Sequence, residues 1–129
     1  MTTGPNPHKD RTGLRRMIWA TRYSAQGLRK AYITESAFRQ EVWLAAVLMP
    51  ASVLLGRDWT EMALLAGSAM LLLIVELLNS AVEAAVDRIS YEHHPLAENA
   101  KDFGSAAVMV ALLLCGAVWA AALWSRFFA

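Results

Sequence analysis

The chain has 129 residues, room for one domain, and 57% of them are hydrophobic against 18% charged, a balance that few water-soluble domains carry. The net charge of +1 conceals an asymmetry: residues 1–40 hold eight Lys/Arg against two Asp/Glu, and residues 41–129 hold four against nine. The basic block leads straight into apolar sequence, which fits anionic lipid headgroups and excludes a nucleic-acid surface. The single cysteine, Cys115, excludes a disulfide framework and thiolate metal clusters.

In chain order, residues 1–11 carry Gly4, Pro5 and Pro7 and read as a disordered tail. From 12 to 34, Leu14, Met17, Ile18, Ala25, Leu28 and Tyr32 recur at helical steps among Arg15, Arg22 and Arg29, with Arg11 just before them. This predicts an amphipathic helix lying on a membrane surface. Three membrane helices follow, expected over 38–56, 61–88 and 96–126. The first contains VWLAAVLMPASVLLG, with Pro50 expected to kink it. The second begins MALLAGSAMLLLIV before Glu76 interrupts it, and Asp58 or Thr60 is its expected N-cap. The third holds twenty uncharged residues, 105–124, enough to cross a hydrocarbon core of about 30 Å, and Pro95 suits its first turn. Trp43, Trp59 and Trp124 fall near expected span ends, whereas Trp119 lies deeper. No cleavable leader is expected, since the first long apolar run starts only at Val42. The basic front places the N-terminus, and with it the 88–104 loop, in the cytoplasm. The whole chain thus reads as a single all-α membrane domain.

On the second membrane helix, Glu76, Asn79, Glu83 and Asp87 are spaced three, four and four apart and share a sector of roughly 80°. A solvated helix end is the lesser alternative for Glu83 and Asp87. Glu76 resists that reading: it lies about 21 Å along the helix from Met62, inside a core of about 30 Å. An ionisable group at that depth is expensive unless it is paired, hydrated or used. It is a candidate general base, and the hydroxyl of a lipid just below the headgroup plane is within its reach.

Two further groups stand near the same boundary. Glu35 and Arg39, four apart, can form an intrahelical ion pair; in the other reading Glu35 pairs instead with Glu83 from another helix to make a hard-cation site. Magnesium is commonly held by one or two carboxylates plus substrate phosphates. Lys101 and Asp102 are either interface anchors or phosphate contacts. His93 and His94 are adjacent, so a two-histidine metal site is not expected and loop solvation is the default. Neither a phosphate-binding P-loop nor a dinucleotide-binding glycine motif occurs.

The segments ESAFRQE at 35–41, ELLNSAVEAAVDR at 76–88 and AKDFGSAA at 100–107, with the weaker GLR at 27–29, resemble the prokaryotic diacylglycerol kinase family of small membrane enzymes. The resemblance extends over nearly the whole chain after about residue 12. It implies ATP-dependent phosphorylation of diacylglycerol to phosphatidate with Mg²⁺, by a homotrimer in the bacterial inner membrane. It implies Glu76 as catalytic base, Glu35 and Glu83 as holders of the magnesium bound to ATP, and Asn79 and Asp87 as supports. It places Arg16, Tyr23, Glu35, Glu83, Glu92, His94, Lys101 and Asp102 at ATP, and Ala37, Phe38, Arg39, Gln40, Glu76, Ser105 and Trp119 at the lipid. The loop HHPLAEN at 93–99 departs from the family pattern through Pro95 and Glu98. Small residues such as Gly67, Ala81 and Ala84 allow close helix packing, within one chain or between subunits. Undecaprenol kinase, of the same family, is the nearest alternative; a non-enzymatic channel or scaffold is the alternative of another class.

Overall fold

A computed structural model describes residues 12–129; the tail expected over 1–11, and Arg11 with it, lies outside the described residues. The described residues form four α-helices and no strand: α1 (Gly13–Thr34), α2 (Ser36–Leu55), α3 (Trp59–Ile89) and α4 (Pro95–Phe127). The chain divides into two units, one ending at Lys30 and one running from Ala31 to Ala129. The first carries most of α1, an amphipathic helix whose Trp19 and Tyr23 rings stack 5.9 Å apart, with the Arg22 guanidinium over Trp19.

In the second unit, α2, α3 and α4 are each long and apolar enough to cross a membrane. α3 packs against both neighbours, while α2 and α4 hardly touch, so the buried positions concentrate along α3 at Leu65, Ser68, Ala69, Leu72 and Glu76. With 20 residues, α2 measures about 30 Å and matches a hydrocarbon core; α3 and α4, with 31 and 33, exceed it by about three and three and a half turns. The surplus falls where α3 ends and α4 begins, and there the sequence turns polar.

Local chemistry sets the helix ends. The Asp58 carboxylate accepts from Glu61 N at 2.8 Å and starts α3, and Glu61 in turn accepts from Arg57 N at 2.8 Å. Gly56 closes α2 so near Met62 that a Cβ would stand 3.0 Å from Met62 N and 2.8 Å from the Ser52 carbonyl, which makes glycine obligatory for this tight turn. Pro95 occupies the first turn of α4, where its missing N–H costs nothing. α2 runs unbroken through Pro50, with the Ser52 hydroxyl donating back to the Met49 carbonyl at 2.6 Å.

At the turn end of the bundle, Leu65, Cys115 and Trp119 form a buried cluster flanked by Leu48, Ala51, Leu55, Val118 and Ala122. The Trp119 indole donates to the Leu65 carbonyl at 3.2 Å, so the deep tryptophan is both packed and satisfied. The Arg57 guanidinium donates to the Ser125 carbonyl, tying the α2–α3 turn to the last turns of α4.

Candidate active site at the charged end

The other end of the second unit gathers the carboxylates. Glu76 is 6% exposed, buried on α3, and the negative charges of Glu83 and Glu35 act on it. Glu35 is the non-helical residue between α1 and α2: its backbone N–H donates to the Ala31 carbonyl at 2.8 Å, and its side chain makes no capping bond. The Arg39 guanidinium is spent on the Tyr32 and Ile33 carbonyls, at 2.8 and 3.1 Å. It thereby satisfies the open end of α1, and the described residues show no Glu35–Arg39 ion pair. Glu35 instead lines a cleft of about 650 Å³ with Ser80, Glu83, Ala84, Asp87, Arg88 and Tyr91.

Glu41, on α2, completes this neighbourhood: it is electrostatically coupled to Glu76, and its Oε2 is buried with no hydrogen-bond partner among the described residues. Asn79 donates through Nδ2 to Glu83 Oε1 at 3.5 Å, while its Oδ1 is likewise buried and unpartnered. Leaving a buried acceptor unpaired costs about 1–3 kcal/mol, so two of them, one on α2 beside the charge of Glu76 and one on α3 a turn beyond Glu76, mark a place built to receive a donor. α4 comes close here, since a Cβ on Gly104 would run into the Asn79 side chain.

A second cleft, of about 350 Å³, opens between the end of α3 and the start of α4 and is lined by Asp87, Tyr91, Glu92, His94, Lys101 and Asp102 among others. Lys101 Nζ meets Asp87 Oδ1 at 2.6 Å. His94 caps α4, its Nδ1 accepting from Leu96 N at 3.1 Å, and His93 Nε2 lies 3.4 Å from Glu98 Oε2. The departing loop sequence is therefore a helix start: histidine caps, proline follows and Glu98 stands in the first turn.

The structure thus brings Glu35, Glu76, Glu83 and Asp87 to one end, with Asn79 on the same face, and gathers Glu92, His94, Lys101 and Asp102 around one cleft. Phe38 is buried on α2; Ala37, Gln40 and Ser105 are exposed, and Ser105 follows the Gly104 approach to Asn79. Trp119 stands apart, bonded to Leu65, which precedes Glu76 by eleven residues or about 16 Å of helix. Arg16 and Tyr23 belong to the N-terminal unit. Sequence reasoning passed over Glu41, whose signal was its place in the last position of ESAFRQE.

Among the described residues no group of three or more His, Cys, Asp or Glu is arranged as a metal cage. Glu35 and Glu83 on one open cleft nevertheless suit a hard cation that takes most of its oxygens from phosphate and water. Three apolar spans with a buried carboxylate and two polar clefts at one end define a multi-pass membrane protein with a candidate site at that end.

Comparison with known proteins gives that class a family. Residues 22–123 match the model of the prokaryotic diacylglycerol kinase family, and the chain belongs to it. It is 53% identical over 116 residues to the diacylglycerol kinase of Pseudomonas aeruginosa, covering 90% of this chain and 94% of that protein. It is 49% identical over 108 residues to the Haemophilus influenzae diacylglycerol kinase, covering 84% and 92%, and 47% identical over 116 residues to that of Escherichia coli, covering 90% and 95%.

Proposed function

We propose that this protein is a lipid kinase that transfers the γ-phosphoryl group of ATP to the hydroxyl of diacylglycerol, giving phosphatidate. The observation that carries this reading is the convergence of ESAFRQE, ELLNSAVEAAVDR and AKDFGSAA, all inside the family match, on the charged end of the bundle.

Phosphoryl transfer asks a protein chiefly for positioning and charge neutralisation. Glu76 takes the proton of the lipid hydroxyl as its oxygen attacks the γ-phosphorus, and ADP leaves. Glu41 Oε2 and Asn79 Oδ1, which have no donor among the described residues, remain acceptors for a bound donor other than the reacting hydroxyl, whose single proton goes to Glu76. Glu35 and Glu83 hold Mg²⁺, which when bound neutralises phosphate charge. Lys101 and Asp102 meet the nucleotide with Glu92 and His94. Arg16 and Tyr23 contribute to the ATP site, and Ala37, Phe38, Arg39, Gln40, Ser105 and Trp119 to the lipid path. The chain works as a homotrimer in the bacterial cytoplasmic membrane, as the family resemblance implies; its N-terminus and α3–α4 loop lie in the cytoplasm, an orientation supported by the basic front of the sequence.

Purified protein in vesicles containing diacylglycerol is expected to form phosphatidate on addition of magnesium-ATP. Well-folded protein that forms none, or that phosphorylates only undecaprenol in a parallel assay, would refute the acceptor assignment.

A further inference from the structure

Among the described residues, Asp87 is the one carboxylate that lines both clefts, the acidic one with Glu35 and Glu83 and the neighbouring one with Lys101 and Asp102. It sits one turn beyond Glu83 on the same face of α3, and it reaches across to α4 to hold Lys101 Nζ at 2.6 Å. Both side chains are partly exposed, at 44% for Lys101 and 37% for Asp87. An ion pair of that exposure adds little to folding stability, so stability does not explain its position on the wall common to both clefts.

We propose that Asp87 is a positioning residue that holds the Lys101 ammonium at the junction of the two clefts, oriented for a phosphate group. The inference rests on the ATP reading above and deepens it. Lysine is a point charge on a flexible four-carbon stem, and an unheld lysine loses rotamer freedom each time it meets a phosphate. Asp87 imposes that order in advance. The ammonium has three N–H donors, of which one is engaged by Asp87, and the other two remain for phosphate oxygens. The pairing also offsets the charge of Asp87, which otherwise adds a negative group beside Glu35 and Glu83 where a polyphosphate must approach.

The test is equilibrium binding of a non-hydrolysable ATP analogue with Mg²⁺ to the full chain in detergent, for wild type, Asp87→Asn, Asp87→Glu, Lys101→Met and the Asp87→Asn/Lys101→Met double variant. Asp87→Asn is expected to bind about threefold to fivefold more weakly, the scale of one partly exposed ion pair. Asp87→Glu is expected to stay within about twofold of wild type, and Lys101→Met to lose about tenfold or more. The double variant is expected to bind no more weakly than Lys101→Met alone, because Asp87 acts through Lys101. Unchanged or tighter binding by Asp87→Asn overturns the proposal, as does a double variant whose losses multiply. Wild type that binds no analogue overturns the nucleotide reading and this inference with it, whereas a binding wild type beside an unaffected Asp87→Asn overturns the inference alone.

Discussion

The two ends of the membrane bundle are built on opposite terms. At the α2–α3 turn end, polar groups are answered within the chain: Asp58 caps α3, Arg57 reaches the Ser125 carbonyl, and the Trp119 indole finds the Leu65 carbonyl inside an apolar cluster. At the charged end, Glu76 is buried among like charges, two acceptors lack partners, and two clefts stand open. In a membrane, where helices gain little from leaving lipid for one another, packing and hydrogen bonds must supply association. One end supplies them, and the other is left with the unmet polar groups that chemistry uses.

This contrast can be broken from either side. Trp119→Ala removes the largest packed side chain of the turn end and its hydrogen bond, and is expected to cost about 3 kcal/mol in reversible unfolding in detergent or bicelles. The folded fraction should keep its magnesium dependence. Glu83→Gln should do the reverse, lowering phosphatidate formation about a hundredfold, near 2.7 kcal/mol, and raising the magnesium concentration needed, with unfolding little changed. Gly104→Val drives side-chain atoms into Asn79 at the place where α3 and α4 approach, and an overpacking cost of about 1–3 kcal/mol is expected, accompanied by lost turnover. The smallest effect belongs to Asp58→Ala, which removes the α3 cap for about 1 kcal/mol and should leave turnover intact.

What the sequence disclosed about these ends follows from how far each signal reaches along the chain. A cap at Asp58 or Thr60, Pro95 at a helix start and the Glu76–Asp87 stripe depend on residues within a few turns and are legible in the sequence; the structure selects Asp58. The apolar runs gave four helices and three possible spans for the same reason. Contacts between helices depend on rotation and crossing, which periodicity does not encode. The nearness of Glu41 to Glu76, the Lys101–Asp87 pair and the placement of Trp119 against Leu65 emerged only in three dimensions. Arg39 shows the limit within a single segment: spacing offered Glu35 as its partner, but the open carbonyls of α1 take the guanidinium and leave Glu35 to the cleft. Spacing leaves His94 in a solvated loop by default and the resemblance puts it at ATP; neither reading contains its role as the α4 cap, which depends on where the helix starts.

The central claim is that the buried carboxylate of α3 removes the proton from the lipid alcohol. Its most direct test is the initial rate of phosphatidate formation by Glu76→Gln in diacylglycerol vesicles with saturating magnesium-ATP, beside analogue binding by the same protein. The account predicts a loss of at least about a hundredfold in rate with nucleotide binding retained. A rate close to that of wild type would contradict it.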